Sequence, residues 1–189
     1  MSWRKPSASS SRARRRDPAS DDERVAWVRL AAVLELLPGV LDTQLRRDAD
    51  LSHFEHFVLA MLSEAPDRTL RMTSLASRTN ATLPRLSHVV RRLEDRGLVR
   101  RFPCPEDGRA TNAQLTEAGW TTVVAAAPGH VANVRQQVID ALDDGQVRQL
   151  AEITEAILGR IDPDGVVMAP QRDRAGSGSG EGADRSGAD

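Results

Sequence analysis

The sequence predicts a mainly α protein with one small β-hairpin. Apolar residues recur at helical spacing through most of residues 22–160, and two short β-type runs flank a loop that contains prolines and a glycine. The chain has 189 residues, of which 40% are hydrophobic. This is enough for a single domain with one buried core and a tail at each end.

The first predicted helix covers residues 22–47 and is apolar on almost every side. A helix with so broad an apolar surface requires burial on more than one side. Pro38, which is followed by a glycine, is predicted to kink it. A second helix is predicted to begin at a capping box, in which Ser52 is the N-cap and Glu55 stands three residues later, and to end at Leu62.

Two further helices precede the hairpin. The first covers residues 72–78. The second begins after Thr82, which is predicted to cap it, carries a proline in its first turn and ends at Gly97. Residues 98–102 and 111–115 are the two predicted strands of the hairpin.

Two more helices are predicted after the hairpin. The first begins at Thr116, is interrupted at Pro128 and resumes to Leu142. The second begins at Asp143, in a further capping box, and ends near Arg160. The predicted order is therefore four helices, a hairpin and two helices.

The composition of both ends predicts tails. Residues 1–20 are rich in serine, arginine and proline and are predicted to be disordered, and residues 162–189 contain a glycine–serine run typical of a flexible tail. Residues 21–161 are predicted to form the folded domain.

Within this domain, a central region at about residues 50–116 is flanked by the helices at about 22–48 and 117–160. The flanking helices carry more apolar surface than the small central region can cover. An isologous homodimer whose interface uses both chain ends would cover that surface.

The formal net charge is −1, but the charges are unevenly distributed. Nine arginines between Arg68 and Arg101 stand against two carboxylates, Glu94 and Asp95. A local excess of this size predicts a polyanionic partner. The alternative is a solvated helix face, which is what most charged runs form.

Several functional classes are disfavoured. Cys104 is the only cysteine, there is no secretory signal, and no apolar run is long enough to cross a membrane, so we expect a cytoplasmic, nucleoid-associated protein. The sequence offers no nucleophile–base pairing and no phosphate-binding glycine loop. We therefore expect neither an enzyme nor a cofactor.

Two short helices followed by a hairpin that carries arginine are the order of a winged helix-turn-helix. In that arrangement one helix enters the major groove of DNA and the basic hairpin reaches the minor groove. Three segments carry a closer likeness: LRMTSLA at 70–76, VVRRLEDRGLVRR at 89–101, and PEDGR at 105–109 leading to LTEAG at 115–119.

These segments, in this order, resemble the MarR family of bacterial regulators. The resemblance covers about residues 23–160. It implies a homodimer with winged DNA-binding lobes that usually acts as a repressor. It also implies release from DNA when a small, often aromatic anion binds or when a cysteine is oxidised.

The predicted DNA contacts lie in the third and fourth helices and in the hairpin. They are Thr73, Ser74, Thr82, Leu83, Arg85, Ser87, His88, Arg91, Asp107 and Arg109. Arg85 is predicted either to read a guanine edge or to contact a phosphate. Leu83 either touches a thymine methyl or packs on the turn, and His88 is a neutral donor to DNA or simply exposed rather than a pH sensor.

Arg109, placed at the hairpin tip, is predicted to enter a narrow minor groove, oriented by a hydrogen bond to Asp107. The alternative is an exposed ion pair in a loop. The basic run at residues 12–16 is either an arm that follows DNA or an inert tail.

The effector candidates are weaker. His53 and His56 stand three residues apart on one helix, a spacing that can hold a metal, but no cysteine or acidic cluster completes a ligand set. We therefore expect no metal, and instead core or pocket-lining histidines that join Trp27 as weak ligand candidates. Cys104, expected to be exposed in the hairpin, is either a redox switch or an inert thiol. Trp120 is predicted to pack in the dimer interface.

The sequence thus predicts a sequence-specific transcriptional regulator. We expect a repressor that binds a pseudo-palindromic site on double-stranded DNA as a homodimer and is released by a small aromatic or anionic effector. Two alternatives remain: a winged protein-interaction module without specific DNA binding, and a redox-sensing regulator that acts through Cys104. The density of arginine favours DNA over a protein partner.

Overall fold

The computed structural model describes residues 20–168 and contains six α-helices and a three-stranded antiparallel sheet. In chain order the elements are α1 (Asp21–Ala49), α2 (His53–Ser63), β1 (Thr69–Arg71), α3 (Met72–Arg78), α4 (Leu83–Asp95), β2 (Val99–Cys104), β3 (Asp107–Leu115), α5 (Glu117–Gln137) and α6 (Asp144–Ile161). The mainly α class and the order of the helices around the hairpin are confirmed.

Helix α1 is 29 residues long and is continuous across Pro38. Two structural units meet along it, with the boundary after Gly39. The first unit carries exposed apolar side chains over residues 25–36, among them Trp27, which is 63% exposed, and Leu36, which is 70% exposed. The apolar surface predicted for this helix is therefore present and is not covered within the described chain.

In the second unit, α1 ends where Asp50 adopts a left-handed backbone with φ of 51°. The amide of Leu51 then donates to the carbonyl of Leu45, which closes the helix end. The next helix begins as predicted: the Ser52 side chain accepts from the backbone of Glu55, and the Glu55 carboxylate accepts from the backbone of Ser52. This capping box is confirmed.

Helices α3 and α4 are joined by a short turn in which Asn80 has φ of 47°, a conformation that asparagine tolerates better than most residues. Thr82 occupies the N-cap position of α4, as predicted, but its side chain makes no capping hydrogen bond. At the other end, Gly97 takes φ of 71° and its amide donates to the carbonyl of Glu94. The predicted glycine termination is confirmed.

The sheet has the strand order β1–β3–β2, with both pairings antiparallel. Strand β1 was not predicted, because three residues are too few to show an alternating pattern. Strand β3 is longer than predicted, and it pairs with β1 from Thr69 opposite Gln114 to Arg71 opposite Asn112. The sheet therefore ties the hairpin to the segment that leads into α3.

The core lies between this sheet and helices α2, α3 and α4. Its fully buried side chains include Leu59, Leu75, Leu86, Leu93 and Val99. Helix α5 joins the core through Val123, which is 6% exposed. Residues 50–116, which we call the winged part, are thus packed mainly against one another, with a contribution from α5.

Helix α5 differs from the prediction at Pro128, where the helix is continuous rather than interrupted. Proline removes the hydrogen bond to the carbonyl of Val124, but both residues are exposed, so that carbonyl remains open to solvent. The helix ends at Gln137 instead of Leu142, and a 3₁₀ turn at Ile139–Ala141 follows.

Helix α6 begins at the predicted capping box of Asp143 and Gln146. None of its residues is buried. Beyond it, the first residues of the predicted C-terminal tail are placed, since the amide of Met168 donates to the carbonyl of Arg78 at 3.1 Å. The other tail predictions, at residues 1–19 and 169–189, lie outside the described residues. Among the helices described, none has the length and apolarity needed to cross a membrane.

Candidate nucleic-acid interface

Helix α4 is held against the core by one apolar face. The buried residues of that face are Leu86, Val89, Val90 and Leu93, as predicted. Because successive helical residues are about 100° apart, His88 and Arg91 project most directly away from the core. Arg85 lies on one flank of this outer face, and Leu83 and Ser87 lie on the other. Leu83 is 43% exposed, as its position predicted.

The outer face presents a bonded pair of side chains. Nη2 of Arg91 lies 3.1 Å from Nδ1 of His88. A guanidinium can only donate, so Nδ1 of His88 is the acceptor and its ring proton lies on Nε2. His88 therefore presents an N–H donor at the surface, and Arg91 is oriented by its neighbour.

Arg85 is exposed, but the structure gives it a partner that was not predicted. Its guanidinium carbon lies 4.3 Å from the centre of the Phe54 ring on α2. This stacking is a cation–π contact, which holds the side chain beside α2. In this conformation the Arg85 side chain is directed towards α2. Its predicted guanine contact stays a prediction.

Arg109 does not lie at the tip of the hairpin, so that part of the prediction is wrong. The tip is formed by Pro105 and Glu106, because Cys104 already pairs with Asp107 across the turn. Arg109 lies within β3, in a bulge where the register shifts. The observed two-residue turn contains no glycine. The sequence prediction took Gly108 as part of the loop and therefore placed the tip too late in the chain.

Asp107 also acts differently from the prediction. Its Oδ1 accepts from the backbone amide of Arg109 at 3.2 Å, and no ion pair between the two side chains is present among the described residues. The carboxylate therefore stabilises the bulge rather than the guanidinium. The Arg109 side chain remains exposed and is not neutralised by a described carboxylate.

A cleft of about 210 Å³ separates the start of α4 from the hairpin. Its lining residues are Met72, Thr73, Leu83, Ser87, Arg101, Arg109, Ala110 and Thr111. The fold thus brings together four of the predicted DNA contacts from α3, α4 and β3. Ser74 and Thr82 are exposed but do not line this cleft.

The charge excess predicted from the linear count is partly cancelled by carboxylates from elsewhere. Five of the nine arginines form ion pairs: Arg68 with Glu117, Arg71 with Glu106, Arg92 with Glu55, Arg96 with Asp50, and Arg101 with Glu94. A count along the segment omits four of these five partners, because they come from other elements. The hydrogen bonds from Arg101 also lower the pKa of Glu94.

Other arginines keep their charge uncompensated. Arg85, Arg91, Arg100 and Arg109 form no ion pair with any carboxylate of the described residues. Arg91 and Arg109 belong to the exposed surface of α4 and of the hairpin. The uncompensated positive charge is therefore found on the elements that sequence reasoning assigned to DNA.

Cys104 is 5% exposed, so the expectation of an exposed thiol is wrong. It is the last residue of β2 and lies just before the hairpin turn. Strict alternation from buried Val99 would place Cys104 on the same face as exposed Arg100, but the register of the strand pair shifts between Pro103 and Cys104. A buried thiol is poorly placed to react with an oxidant in solution.

His53 and His56 belong to a cluster of three histidines. The ring of His130 on α5 lies 6.1 Å from that of His53 and 4.6 Å from that of His56, between ring centres. Burial, and then the neighbouring His130 and His53, lower the pKa of His56 to about 4. Burial likewise lowers the pKa of His53 and His130. Among the described residues, no group of histidine, cysteine and acidic side chains has the arrangement of a metal site.

The two predicted tryptophans differ in their surroundings. Trp27 is exposed on the first unit of the chain. Trp120 packs against the core of the winged part, and the guanidinium of Arg68 lies 4.2 Å from its ring centre. Trp120 is only partly buried by its own chain, so its predicted packing in a dimer interface stays a prediction.

The sequence did not predict the contacts of three residues in or next to the first turn of α2. They are Phe54, which stacks on Arg85, Glu55, which pairs with Arg92, and His130, which completes the histidine cluster. Glu55 was identified only as a capping residue. Nothing in the linear pattern showed that its carboxylate would also contact α4, 37 positions further along the chain.

Comparison with known proteins agrees with this geometry. A sequence model of the MarR family matches residues 51–111, from just before α2 into β3. The HTH-type transcriptional repressor IacR of Pseudomonas putida is 26% identical over 150 residues, which cover 77% of this chain and 87% of IacR.

Two solved structures from Streptomyces coelicolor are similar over nearly their whole length. The MarR family regulator Sco3205, determined in complex with DNA, is 41% identical, with a TM-score of 0.73 and coverage of 77% of this chain and 95% of that one. The MarR family regulator AbsC is 34% identical, with a TM-score of 0.72 and coverage of 78% and 99%. The chain belongs to the MarR family of winged helix-turn-helix transcriptional regulators, and it is not an enzyme.

Proposed function

We propose that this protein is a repressor that binds a pseudo-palindromic DNA site as a homodimer and is released by a small effector. The observation that carries the proposal is the cleft between α4 and the hairpin, where Thr73, Leu83, Ser87 and Arg109 meet. Arg91 on α4 and Arg109 on the hairpin, which form no ion pair among the described residues, belong to the two elements that border this cleft. The repressor role is supported by the similarity to IacR, which is a repressor.

The geometry suits a groove-reading role. Helix α4 presents His88 and Arg91 outward, and both are exposed on a helix of 13 residues that is anchored on its other face. An anchored helix of this kind can enter a major groove, where donors meet base edges or phosphates. The hairpin follows α4 directly, and Arg109 on it can reach the adjacent minor groove, whose negative potential attracts arginine.

The homodimer is proposed because large apolar faces are uncovered in the described chain. On α6, Ile153 is 57% exposed and Leu158 is 50% exposed. On the first unit, Val33 and Leu34 of α1 are more than half exposed. A second copy that covers these faces would place two winged regions on one duplex, about one helical turn apart.

The domain limits belong to the same proposal. Residues 50–116 would form the DNA-binding lobe, and residues 22–48 and 117–160 would supply the dimerisation helices. The core supports the first assignment, since its buried residues lie almost entirely between Leu51 and Leu115.

Release by an effector rests on the polar atoms around the histidine cluster. In the described chain, Oε1 of Gln44, Nε2 of His56 and Nδ1 of His130 are buried without a hydrogen-bond partner. Buried polar atoms of this kind can be satisfied by a ligand that carries donors and acceptors. Such a ligand would act by binding the DNA-free conformation more tightly than the DNA-bound one.

The test is the affinity of the purified protein for duplexes chosen by in vitro selection from a random-sequence pool. Replacing Arg109 by alanine removes two minor-groove contacts per dimer, so affinity should fall about 10- to 100-fold and the salt dependence should weaken. Fluorescence anisotropy at several salt concentrations measures both. Arg135→Ala, which removes an exposed arginine of α5, is the matched control and should change neither. Equal affinity for the Arg109 variant would remove the hairpin from the proposal.

A further inference from the structure

The recognition helix α4 is fastened to the α1–α2 junction by a row of three arginines. Arg85, Arg92 and Arg96 stand at positions i, i+7 and i+11, so they share one flank of α4. Each contacts a different residue of the six-residue stretch that ends α1 and begins α2. We call these three side chains the arginine row.

The three contacts differ in chemistry, but all of them join α4 to the end of α1 or the start of α2. Arg85 stacks on Phe54 at 4.3 Å, and Nη2 of Arg92 lies 2.8 Å from Oε1 of Glu55. The third is an ion pair of 3.2 Å between Nη2 of Arg96 and Oδ2 of Asp50. Together they span the helix from its first turn to its C-cap. A row of contacts along a whole helix fixes its rotation and its slide as well as its distance.

Glu55 is the central member of the junction because its carboxylate serves two elements. The side chain is 2% exposed. One oxygen accepts from the backbone amide and the hydroxyl of Ser52, which closes the N-terminus of α2. The other oxygen contacts Arg92 on α4 as an ion pair rather than as an aligned hydrogen bond. A buried carboxylate requires its cation, so α4 and the start of α2 are held together.

The first turn of α2 has a second contact on its other side. His53 and His56, which flank Phe54 and Glu55 in the sequence, face His130 on α5. The turn therefore lies between α5 and the recognition helix. Two of the three partners of the arginine row, Phe54 and Glu55, belong to this turn, so a shift of the turn against α5 would act on α4 through both contacts.

We infer that Glu55, through Arg92, is a positioning residue that sets the orientation of α4 for DNA, with Phe54 and Asp50 as its supports. This inference rests on the proposed function. In this role the arginine row determines the distance and rotation between the two recognition helices of a dimer. That distance decides which half-site spacing a duplex must have.

The experiment measures spacing tolerance rather than affinity alone. Duplexes obtained by in vitro selection with the wild-type protein are remade with one base pair inserted or deleted between the half-sites, which moves the sites by about 3.4 Å and about 35°. The wild-type protein should bind the altered duplexes at least about tenfold more weakly than the selected one.

Glu55→Gln is the test variant. Glutamine still suits the third position of a capping box, so α2 should begin normally while the charge that holds Arg92 is lost. The variant should lose discrimination between spacings, with the three duplexes bound within about threefold of one another. Arg92→Gln should behave in the same way, because it breaks the same pair from the other side.

Glu117→Gln is the matched control, since it breaks an arginine–carboxylate pair of similar length that does not involve α4. It should keep the wild-type spacing profile. A Glu55→Gln protein that is folded by circular dichroism, weaker on all three duplexes by the same factor, and still selective for spacing would overturn the inference. A wild-type protein that binds no duplex at all would instead overturn the proposed function.

Discussion

Helices α4 and α6 both have an amphipathic sequence, yet only α4 buries its apolar face. Helix α4 has 13 residues and buries four of them, whereas α6 has 18 residues and buries none. The exposed apolar residues of α6 are Leu150, Ile153, Ile157, Leu158 and Ile161, with exposed fractions from 36% to 73%. The periodicity of a helix therefore predicts that one face will be covered, but it does not tell which molecule covers it.

The difference separates two kinds of stability in one chain. The winged part has a buried core that is built within one chain. Helix α6 gains nothing comparable from its own chain, and its apolar stripe becomes favourable only when a partner removes it from water. Substitutions in either region should therefore have effects of different kinds and sizes.

The largest effect is expected from charges placed on the apolar stripe of α6. Ile153→Glu combined with Leu158→Glu would bury two carboxylates in the proposed interface, so the dimer should dissociate. Both side chains are at least half exposed in the single chain, so each chain should still fold. Affinity for the selected duplex should fall by about 10²- to 10⁴-fold, because two half-sites are no longer bound together.

The matched control changes the charge by the same amount on the polar side of the helix. Arg148→Glu, which also changes the charge by two units, should leave the protein dimeric. Sedimentation velocity distinguishes the two outcomes. A dimer that survives both glutamates would show that α6 is not the interface.

The second effect concerns acid stability and the histidine cluster. The pKa of His56 is lowered from 6.5 to about 4, so between these pH values the unfolded chain binds a proton that the folded chain does not. Stability should therefore fall as the pH decreases from 6.5 towards 4, by up to about 3 kcal/mol from this residue. His53 and His130 shift in the same direction, and Asp42 and Asp48 of α1 are the nearby carboxylates.

Urea unfolding at pH 7 and at pH 4.5 measures this difference. His56→Gln should reduce the loss on acidification, whereas His88→Gln, at an exposed position of α4, should leave it unchanged. If the wild-type protein and His56→Gln lost the same free energy, the cluster would have no part in acid sensitivity.

The third effect compares Gly119, which packs against the winged part from α5, with a glycine of α6. A Cβ atom at Gly119 would lie 2.1 Å from the carbonyl oxygen of Leu98 and 2.7 Å from Cδ1 of Leu115, so Gly119→Ala should destabilise the protein by about 2 kcal/mol. A Cβ atom at Gly159 on α6 meets nothing within 4 Å. Gly159→Ala should therefore stabilise the protein by about 0.5 kcal/mol, since alanine favours the helix. Thermal unfolding checks both signs, and equal effects would contradict the packing described.

The smallest effect separates two N-cap residues of the winged part. Ser52 caps α2 through its side chain, so Ser52→Ala should cost about 1 kcal/mol of unfolding free energy. Thr82 makes no such bond, so Thr82→Ala should cost less than about 0.5 kcal/mol. A larger cost at Thr82 than at Ser52 would mean that the cap of α4 forms in solution through that hydroxyl.

The sequence predicted most of the local structure because local signals controlled it. The capping boxes at Ser52 and Asp143, the end of α4 at Gly97 and the bounds of α3 all follow from a few neighbouring residues. It failed where tertiary contacts decided the outcome. Pro128 lies within a continuous helix, and three residues at Thr69–Arg71 became a strand because β3 offered them an edge.

The candidate site was predicted as a set of residues but not as an arrangement. Thr73, Leu83, Ser87 and Arg109 do meet in one cleft. The linear charge count could not show that Glu55 and Asp50 neutralise arginines of α4, since ion pairs between distant segments leave no periodic trace. The position of Arg109 was predicted wrongly because Gly108 suggested a longer loop. The turn instead consists of Pro105 and Glu106.

The central claim is that two copies of this chain hold their α4 helices and hairpins on one duplex. The mass of the complex formed on a single selected duplex, measured by sedimentation velocity at low salt, tests it most directly. We expect two chains per duplex, and we expect the Ile153→Glu, Leu158→Glu variant to lose that complex. One wild-type chain per duplex, or tight binding by the monomeric variant, would contradict the claim.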